Sequence, residues 1–492
     1  MANNPKLKVA IMPVDEFGND PAARPLGSEA DLLYTRELIE RVKCAKVELP
    51  VDDSDLSESD LGQFFIDCYG AKFRRVSGVG VLHYNGQYWL PDNKMLRYSC
   101  AEIIQKEVVA ATNSDQKERR RLKSKAMRNS MLDFVLTNQN IVMEPADFEN
   151  ARHRLNTISG AIDLKTGKIE SSKPEDYFLH ITQCGYSTES PDQFMRFIED
   201  IFKDDTGSTD TKTIHFIQRV LGYCITGEIR EQKLFFCYGE GANGKSVLLD
   251  LINWMLGSYA INYPAAALMK QRNESHPTDL ALLEGKRLAI SPELERSQHW
   301  AESRIKELTG TETITARKMR QDFYEFPVTS KHVVCGNYEP ALQGGDSAMQ
   351  RRMIQIRFDQ TIPPERRDPH LLDKLKGEAD AIMGWLVRGA MEWYRSGLDI
   401  PEKVQRDSEA YFESMDDIGL WVEECCNVTG RDIDWTANKD LYQSYKEWKL
   451  DSGSKPLADG NWGREMRKRK DFHFKRENNQ RGYAGITIKP FY

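Results

Sequence analysis

The sequence predicts an α/β core set between a helical region on its N-terminal side and a smaller module of helices and a hairpin at its C-terminal end. Three observations carry that reading. Short apolar runs at 233–238, 287–291, 332–336 and 353–358 alternate with helical patterns, as strands covered by helices do. The first run ends in a glycine-rich turn that opens directly into an amphipathic helix. Helical periodicity flanks this core, at 191–205 and 212–227 before it and from 364 to about 426 after it.

Composition bounds the rest. At roughly 100–200 residues per domain, 492 residues predict three or four domains. With 40% hydrophobic and 29% charged residues the chain can fill a globular core, which excludes a disordered or collagen-like protein. No apolar run approaches the ~18 residues of a membrane span, so no membrane partner is expected. The N-terminus lacks the apolar stretch of a secretory signal. Nine cysteines are scattered without a CxxC or a Cys/His cluster, which predicts buried thiols and a reducing, cytoplasmic compartment, that of the host cell for a viral or phage protein. Net charge is 68 − 75 = −7, so any nucleic-acid surface must be local. Charge is uneven: 115–130 hold seven Lys/Arg against two acids, and 455–492 hold ten against four. The acidic stretch 51–60 reads as a loop or linker, and the basic run 115–130 as a solvated helix face.

In chain order, 31–42 reads as a helix. Residues 80–90 form a hairpin turning at Asn85-Gly86 between alternating apolar runs. Residues 101–155 read as helices, and Thr166-Gly167 as a second turn. The run 234–238 then meets Gly239-Glu240-Gly241-Ala242-Asn243-Gly244-Lys245-Ser246, a full GxxxxGK[ST] match. The glycines let backbone N–H groups turn inward around phosphates. Lys245 can reach the β- and γ-phosphates, and the Ser246 hydroxyl can bind Mg²⁺. Val247, Leu248, Leu251, Ile252 and Met255 form the apolar face of the helix beyond the loop, and Gly257 stands where a C-cap belongs. Phosphates would therefore meet a helix N-terminus. This is a nucleotide site.

The segments C-terminal to the loop decide the class of nucleotide enzyme. The run 287–291 ends at Pro292-Glu293-Leu294-Glu295, where an acid beside the loop can hold the Mg²⁺ shell and activate water. The run 332–336 ends in Asn337, which can orient the lytic water. Arg351 and Arg352 precede the fourth run, and an ATPase working across subunit interfaces needs an arginine finger.

This order of motifs resembles superfamily 3 helicases, most closely the primase-helicases of poxviruses, phages and phage satellites. The loop matches that group's GxGANGKS form through Val247. Residues 302–310 with 313–317 resemble its B′ segment, Cys335-Gly336-Asn337-Tyr338-Glu339-Pro340 its motif C, and Arg351-Arg352 its arginine pair. Residues 155–167 resemble the region preceding the helicase, and 440–448 with the basic segment after them resemble its C-terminal winged helix. The resemblance covers about residues 80–490. Members commonly carry Ser-Glu at the end of the second strand. Reading Pro292 in the serine's place puts Glu293 in the glutamate's, with Glu295 the alternative. Many relatives also carry a primase domain, yet only about 100 residues precede the shared region, with no paired acids or zinc-binding cysteines among them, so no primase activity is expected here.

The resemblance implies an AAA+-like P-loop ATPase core using ATP and Mg²⁺, with a helical N-terminal region and a C-terminal winged helix. Its expected divisions are an accessory region 1–105, a helical domain 106–205, the ATPase core 206–362, a helical subdomain 363–427 and a winged helix 428–492. It implies a homo-oligomeric ring, expected to be a hexamer, moving 3′-to-5′ on DNA. A hairpin carrying Arg317, Lys318 and Arg320, with Phe323 and Tyr324, would point into the channel, offering cations for phosphates and aromatics for stacking. Arg464, Arg467, Lys468 and Lys470 would line a basic helix, and Lys475 and Arg476 a wing, a duplex-binding arrangement. Two functions remain open. One is a replicative helicase of a virus, phage or mobile element acting on single-stranded and forked DNA, with a separate primase or polymerase as partner. The other is an ATP-dependent assembly on origin duplex without processive unwinding.

Overall fold

The structure is a computed structural model that describes residues 55–92, 94–148, 151–204, 206–270, 278–292, 299–317, 322–342, 347–451, 456–477 and 479–490. The expected helix at 31–42 lies outside them. The first unit packs α1 (Glu58–Tyr69), α2 (Met95–Ala111), α3 (Gln116–Leu122) and α4 (Lys125–Thr137) around Leu61, Phe64, Phe65, Ile104, Val108, Leu122 and Met131. Beside them lies a sheet of order β3-β2-β1-β4, from β1 (Phe73–Val76), β2 (Gly80–Tyr84), β3 (Trp89–Pro91) and β4 (Val142–Met143).

The expected hairpin is β2–β3. The Asn85 side chain accepts from the N–H groups of Gln87 and Tyr88 at 2.9 Å, and Gly86 takes φ 106°, which glycine alone adopts cheaply. Two expectations need correction. The acidic stretch 51–60 is not all linker: from Glu58 it is the first turn of α1, capped by Ser57, where Glu58 and Asp60 face the positive end of the helix dipole. Residues 101–155 are not helical throughout. After α4 the chain turns to β4, and β5 (Arg154–Thr157) opens a three-stranded sheet with β6 (Gly160–Asp163) and β7 (Ile169–Glu170). Such short strands carry too little period-2 pattern to stand out from neighbouring helices.

The central body is mixed α/β. Helices α5 (Asp192–Ile201) and α6 (Thr211–Cys224) precede β8 (Leu234–Tyr238), α7 (Lys245–Leu256), β9 (Ala260–Asn262) and β10 (Leu288–Ser291). Next come α8 (Glu302–Gly310), the antiparallel pair β11 (Thr313–Arg317) and β12 (Phe323–Pro327), β13 (Lys331–Gly336) and β14 (Met353–Arg357). The five-stranded sheet has order β14-β8-β13-β10-β9, with every neighbouring pair parallel. Apart from the edge strand β9, its strands are buried on both faces, as parallel strands covered by helices are. Phe235, Cys237, Ile290, Val333 and Ile354 enter one core with α6, α7 and α10 (Ala379–Ser396), while Leu234, Phe236, Ala289, Val334 and Met353 enter a second with Trp300, Ile305 and Tyr411. Helices α6 and α10 approach closely because Gly222 and Gly389 face each other's backbones: a Cβ at Gly222 would lie 2.2 Å from the Ala390 nitrogen.

After β14 come α9 (Leu371–Lys376), α10, α11 (Glu402–Ser414) and α12 (Asp417–Cys425). The last stretch holds β15 (Cys426–Val428), β16 (Trp435–Ala437), α13 (Asn438–Asp451), α14 (Asp459–Lys468), β17 (His473–Glu477), β18 (Gln480–Ala484) and β19 (Ile486–Ile488). Trp421, Tyr445, Trp462, Met466 and Tyr483 form its core, so α12 packs with this unit from the N-terminal side of residue 428. Among the described residues no helix is long and apolar enough to cross a membrane.

Candidate functional site

The Gly239–Ser246 turn joins the C-terminal end of β8 to the N-terminus of α7. Gly241 (φ 115°), Ala242 (φ 49°) and Gly244 (φ 81°) take left-handed backbone conformations that coil the loop. The glycines differ in what they allow. A Cβ at Gly239 would lie 2.3 Å from Asn243 Nδ2 and 2.6 Å from the Phe358 carbonyl, and one at Gly244 2.7 Å from Ile201 Cγ2, so both are packed shut. Gly241 has nothing within 4 Å of such a Cβ, which leaves the crest of the loop open.

Lys245 is buried inside this coil. Its Nζ donates to the Gly239 carbonyl at 2.6 Å and to Asn243 Oδ1 at 3.0 Å. Burial holds its pKa below the ordinary lysine value, opposed by the Cys335 and Cys237 thiols. Asn243 donates in turn to the Phe358 carbonyl at 3.1 Å, and the Ile362 N–H donates to the Ala242 carbonyl at 2.8 Å. The segment after β14 thus fixes the loop from outside. Sequence reasoning missed Phe358 and Ile362, because they lie over 100 residues away and only the β14–β8 pairing brings them there.

Glu240 and Ser246 are exposed and Val247 is half-buried, which leaves Ser246 accessible at the start of α7. Asn337, also exposed, leaves β13 one residue past Gly336, whose carbonyl accepts from the Gly239 N–H at 3.3 Å. The C-terminal end of β10 lies at this same edge of the sheet. There Ser291 Oγ is buried with no hydrogen-bond partner among the described residues. Glu293 and Glu295 lie outside the described residues. Among the described residues no group of three or more His, Cys, Asp or Glu side chains is placed to hold a metal.

Arg351 and Arg352 stand at the other edge. They precede β14, whose first residue Met353 pairs with Leu234 at the start of β8, and the Leu234 N–H donates to the Arg352 carbonyl at 2.7 Å. β8 spans five residues, roughly 16 Å at ~3.3 Å per residue, so the length of the strand separates this pair from the chain's own loop. Arg351 is exposed; Arg352 is half-buried, with Nη1 donating to Ala348 at 3.1 Å.

Arg317 and Phe323 form the last pair of the β11–β12 ribbon, with the guanidinium 5.3 Å from the ring centroid and Phe323 60% exposed. Lys318 and Arg320 lie outside the described residues. In the C-terminal unit Arg464, Arg467 and Lys468 project from α14 and are exposed, as are Lys470 and Arg476, while Lys475 is half-buried. Arg467 lies 5.1 Å from the centroid of the Phe474 ring on β17, so helix and hairpin present one basic, aromatic face. Some of its charge is internally matched: Lys468 pairs with Glu465 at 2.8 Å, and Lys475 stands 3.8 Å from Asp432.

Comparison with known proteins adds family context. Residues 62–203 match a family described as D5 N terminal like, and 237–352 match a family of unknown function, DUF5906. The chain is similar to "Putative helicase L207/L206" of Acanthamoeba polyphaga mimivirus (23% identity, 59% of this chain and 32% of the relative). It is similar to "Putative primase C962R" of African swine fever virus (21%, 67% and 37%) and to "Primase D5" of fowlpox virus (19%, 47% and 30%). The chain spans about a third of the length of these relatives. A solved structure, the apo NrS-1 C terminal region (305-718), aligns at TM-score 0.45 with 12% identity over 74% of this chain and 89% of that one.

Proposed function

The chain is related to the primase-helicase group of large DNA viruses, and from that premise we propose that it is an ATP-dependent superfamily 3 DNA helicase working in the host-cell cytoplasm. The observation that carries the proposal is the placement of Lys245. A lysine buried in a glycine coil at the C-terminal end of a central parallel strand, ahead of a helix N-terminus, suits a phosphate and little else. The residues fit the nucleotide: the crest at Gly241 is open, Lys245 would meet the β- and γ-phosphates, and Ser246 with Glu293 would hold Mg²⁺. When bound, the metal would neutralise charge on the transferring phosphoryl group. Glu293, or Glu295 in its place, would take the proton of the attacking water, and Asn337 would orient that water.

The arginine pair supports a ring. Separated by the sheet from their own loop, Arg351 and Arg352 can serve catalysis by reaching a neighbour's nucleotide, so we read the working form as a homo-oligomer, a hexamer in keeping with the group. Arg317 with Phe323, Lys318 and Arg320 would grip single-stranded DNA, and the α14–β17 face would dock on the duplex as a winged helix. The chain would then move 3′-to-5′ on an AAA+-like core, beside a separate primase or polymerase.

Unwinding of a forked duplex is the deciding experiment. Strand separation with ATP and none with a non-hydrolysable analogue is the expected result. ATP-dependent assembly on duplex with no separation on any fork would replace the helicase by an origin-binding assembly.

A further inference from the structure

The basic run 115–130, read from sequence as a solvated helix face, is more selective in the structure than its composition. Three of its seven cations are consumed internally. Arg119 donates to the Thr112 carbonyl at 2.7 Å and to that of Ser114 at 3.1 Å. Arg121 binds Glu118 and the Leu56 carbonyl, and Arg128 binds Glu102. Both acids of the run are consumed too, since Asp115 caps α3 by accepting from the Glu118 N–H at 2.8 Å. Lys117, Arg120, Lys123 and Lys125 remain. All four are exposed, and none has a carboxylate within ion-pair distance among the described residues.

Their spacing is regular. Lys117, Arg120 and Lys123 recur at three-residue steps along α3 and its C-cap, which places them along one side of the helix. At 1.5 Å rise per residue the stripe is about 9 Å long. One strand of duplex DNA presents a phosphate per ~3.4 Å of axis, so this length faces about three phosphates. Lys125, two residues past Lys123, adds a fourth cation in the first turn of α4, which holds no acid. A cation there is opposed by the helix's own dipole, so the placement does not serve the fold. Leu122, Met127 and Met131 anchor both helices in the core behind, which makes the row rigid.

We propose that Lys117, Arg120, Lys123 and Lys125 form a binding surface for the phosphate backbone of duplex DNA. Duplex is favoured over single strands because residues 116–133 contain no aromatic side chain, and single-strand binding draws on stacking as well as charge. Phosphate is favoured over a base edge because three of the four are lysines, which act as point charges rather than bidentate readers. With a net charge of −7, the rest of the molecule repels DNA and orients it toward such a face. This surface is independent of the nucleotide-loop reading, since it needs no ATP.

The test is a salt titration of blunt-duplex binding by the full chain without nucleotide, between about 50 and 200 mM salt. The variant K117Q/R120Q/K123Q/K125Q should show a plot of log affinity against log salt shallower than wild type by about 3, at ~0.9 per lost phosphate contact. The charge-preserving variant K117R/R120K/K123R/K125R should keep the wild-type slope. An unchanged slope in the glutamine variant would overturn the proposal, as would equal losses in both variants. A larger loss on oligo-dT than on duplex would overturn the duplex assignment, and loss confined to polyglutamate binding would make the surface one for an acidic protein. Equal thermal midpoints for all three proteins would exclude unfolding as the cause.

Discussion

Lys245 does two things at once, and a substitution separates them. Its ammonium holds the loop closed on the Gly239 carbonyl and Asn243 Oδ1, and under the proposed function it meets the nucleotide. Lys245→Ala should therefore lower ATP hydrolysis by about a hundredfold or more. It should also cost about 1–3 kcal/mol of stability, since two buried acceptors lose their donor. ATPase within twofold of wild type would remove this lysine from the chemistry. His332 makes a prediction about pH. It is buried in β13 against the Tyr263 ring, with both ring nitrogens lacking a hydrogen-bond partner among the described residues, and burial pushes its pKa down to about 4. The folded state therefore holds this histidine neutral where the unfolded chain, at about 6.5, already binds a proton. Its contribution is fully present above pH 6.5 and is lost as pH falls toward 4, by about 3 kcal/mol in all. Urea titrations at pH 7 and pH 4.5 should show His332→Leu losing less stability than wild type over that interval; equal losses would place the titration elsewhere.

At the scale of elements, most of the central body was legible. A short apolar run between helical patterns has few alternatives to a buried strand, and 234–238, 288–291, 331–336 and 353–357 are strands in the structure. β9 is not legible in the sequence, because three residues between Gly257 and Pro264 carry no pattern. Nor could the sequence tell which end of the sheet holds Arg351 and Arg352, since that depends on β14 pairing parallel with β8. The hairpin was legible in part: the aromatic and basic residues were visible, but the pairing of Arg317 with Phe323 belongs to the β11–β12 register. That pair carries the element's prediction. Arg317→Ala with Phe323→Ala should leave basal ATPase within about twofold and abolish its stimulation by single-stranded DNA, where a base–aromatic stack contributes about 1–3 kcal/mol. Surviving stimulation would move the channel contact elsewhere. For the C-terminal face, Arg464→Gln, Arg467→Gln and Lys470→Gln test DNA contact better than deletion from residue 428, which would strip Trp421 and Ile418 of the core they share with Tyr445 and Trp462. Duplex affinity should fall and its salt dependence flatten by about 2–3; an unchanged titration would make this unit a structural cap.

For the whole molecule the question is whether catalysis is shared between copies. A subunit with Arg351→Ala and Arg352→Ala keeps its loop but offers no finger, and a Glu293→Gln subunit offers the finger but lacks the acid. Each alone should be nearly inactive, since a lost finger costs on the order of 10³–10⁵ in rate. Mixed before assembly, they should regain ATPase at intermediate ratios and lose it at both extremes. Mixed rings verified by mass, with no ratio above the parents, would return the two arginines to a packing role beneath β14.

The order of the central sheet also governs how the chain comes off the ribosome. β8 is the second strand from one edge, yet both its neighbours, β13 and β14, are translated last of the five. After Leu234–Tyr238 emerges, its partners at Lys331–Gly336 and Met353–Arg357 follow about 100 residues behind it. At ~5–20 residues per second that is a wait of roughly 5–25 s with both edges of an apolar strand unpaired. Leu-Phe-Phe-Cys-Tyr carries no charge and no proline, the composition of a segment that pairs with its own kind when left bare. Nascent chains stalled before residue 331 would expose that segment to one another, so slower elongation through 239–357 should lower the yield of soluble protein even with the finished sheet unchanged.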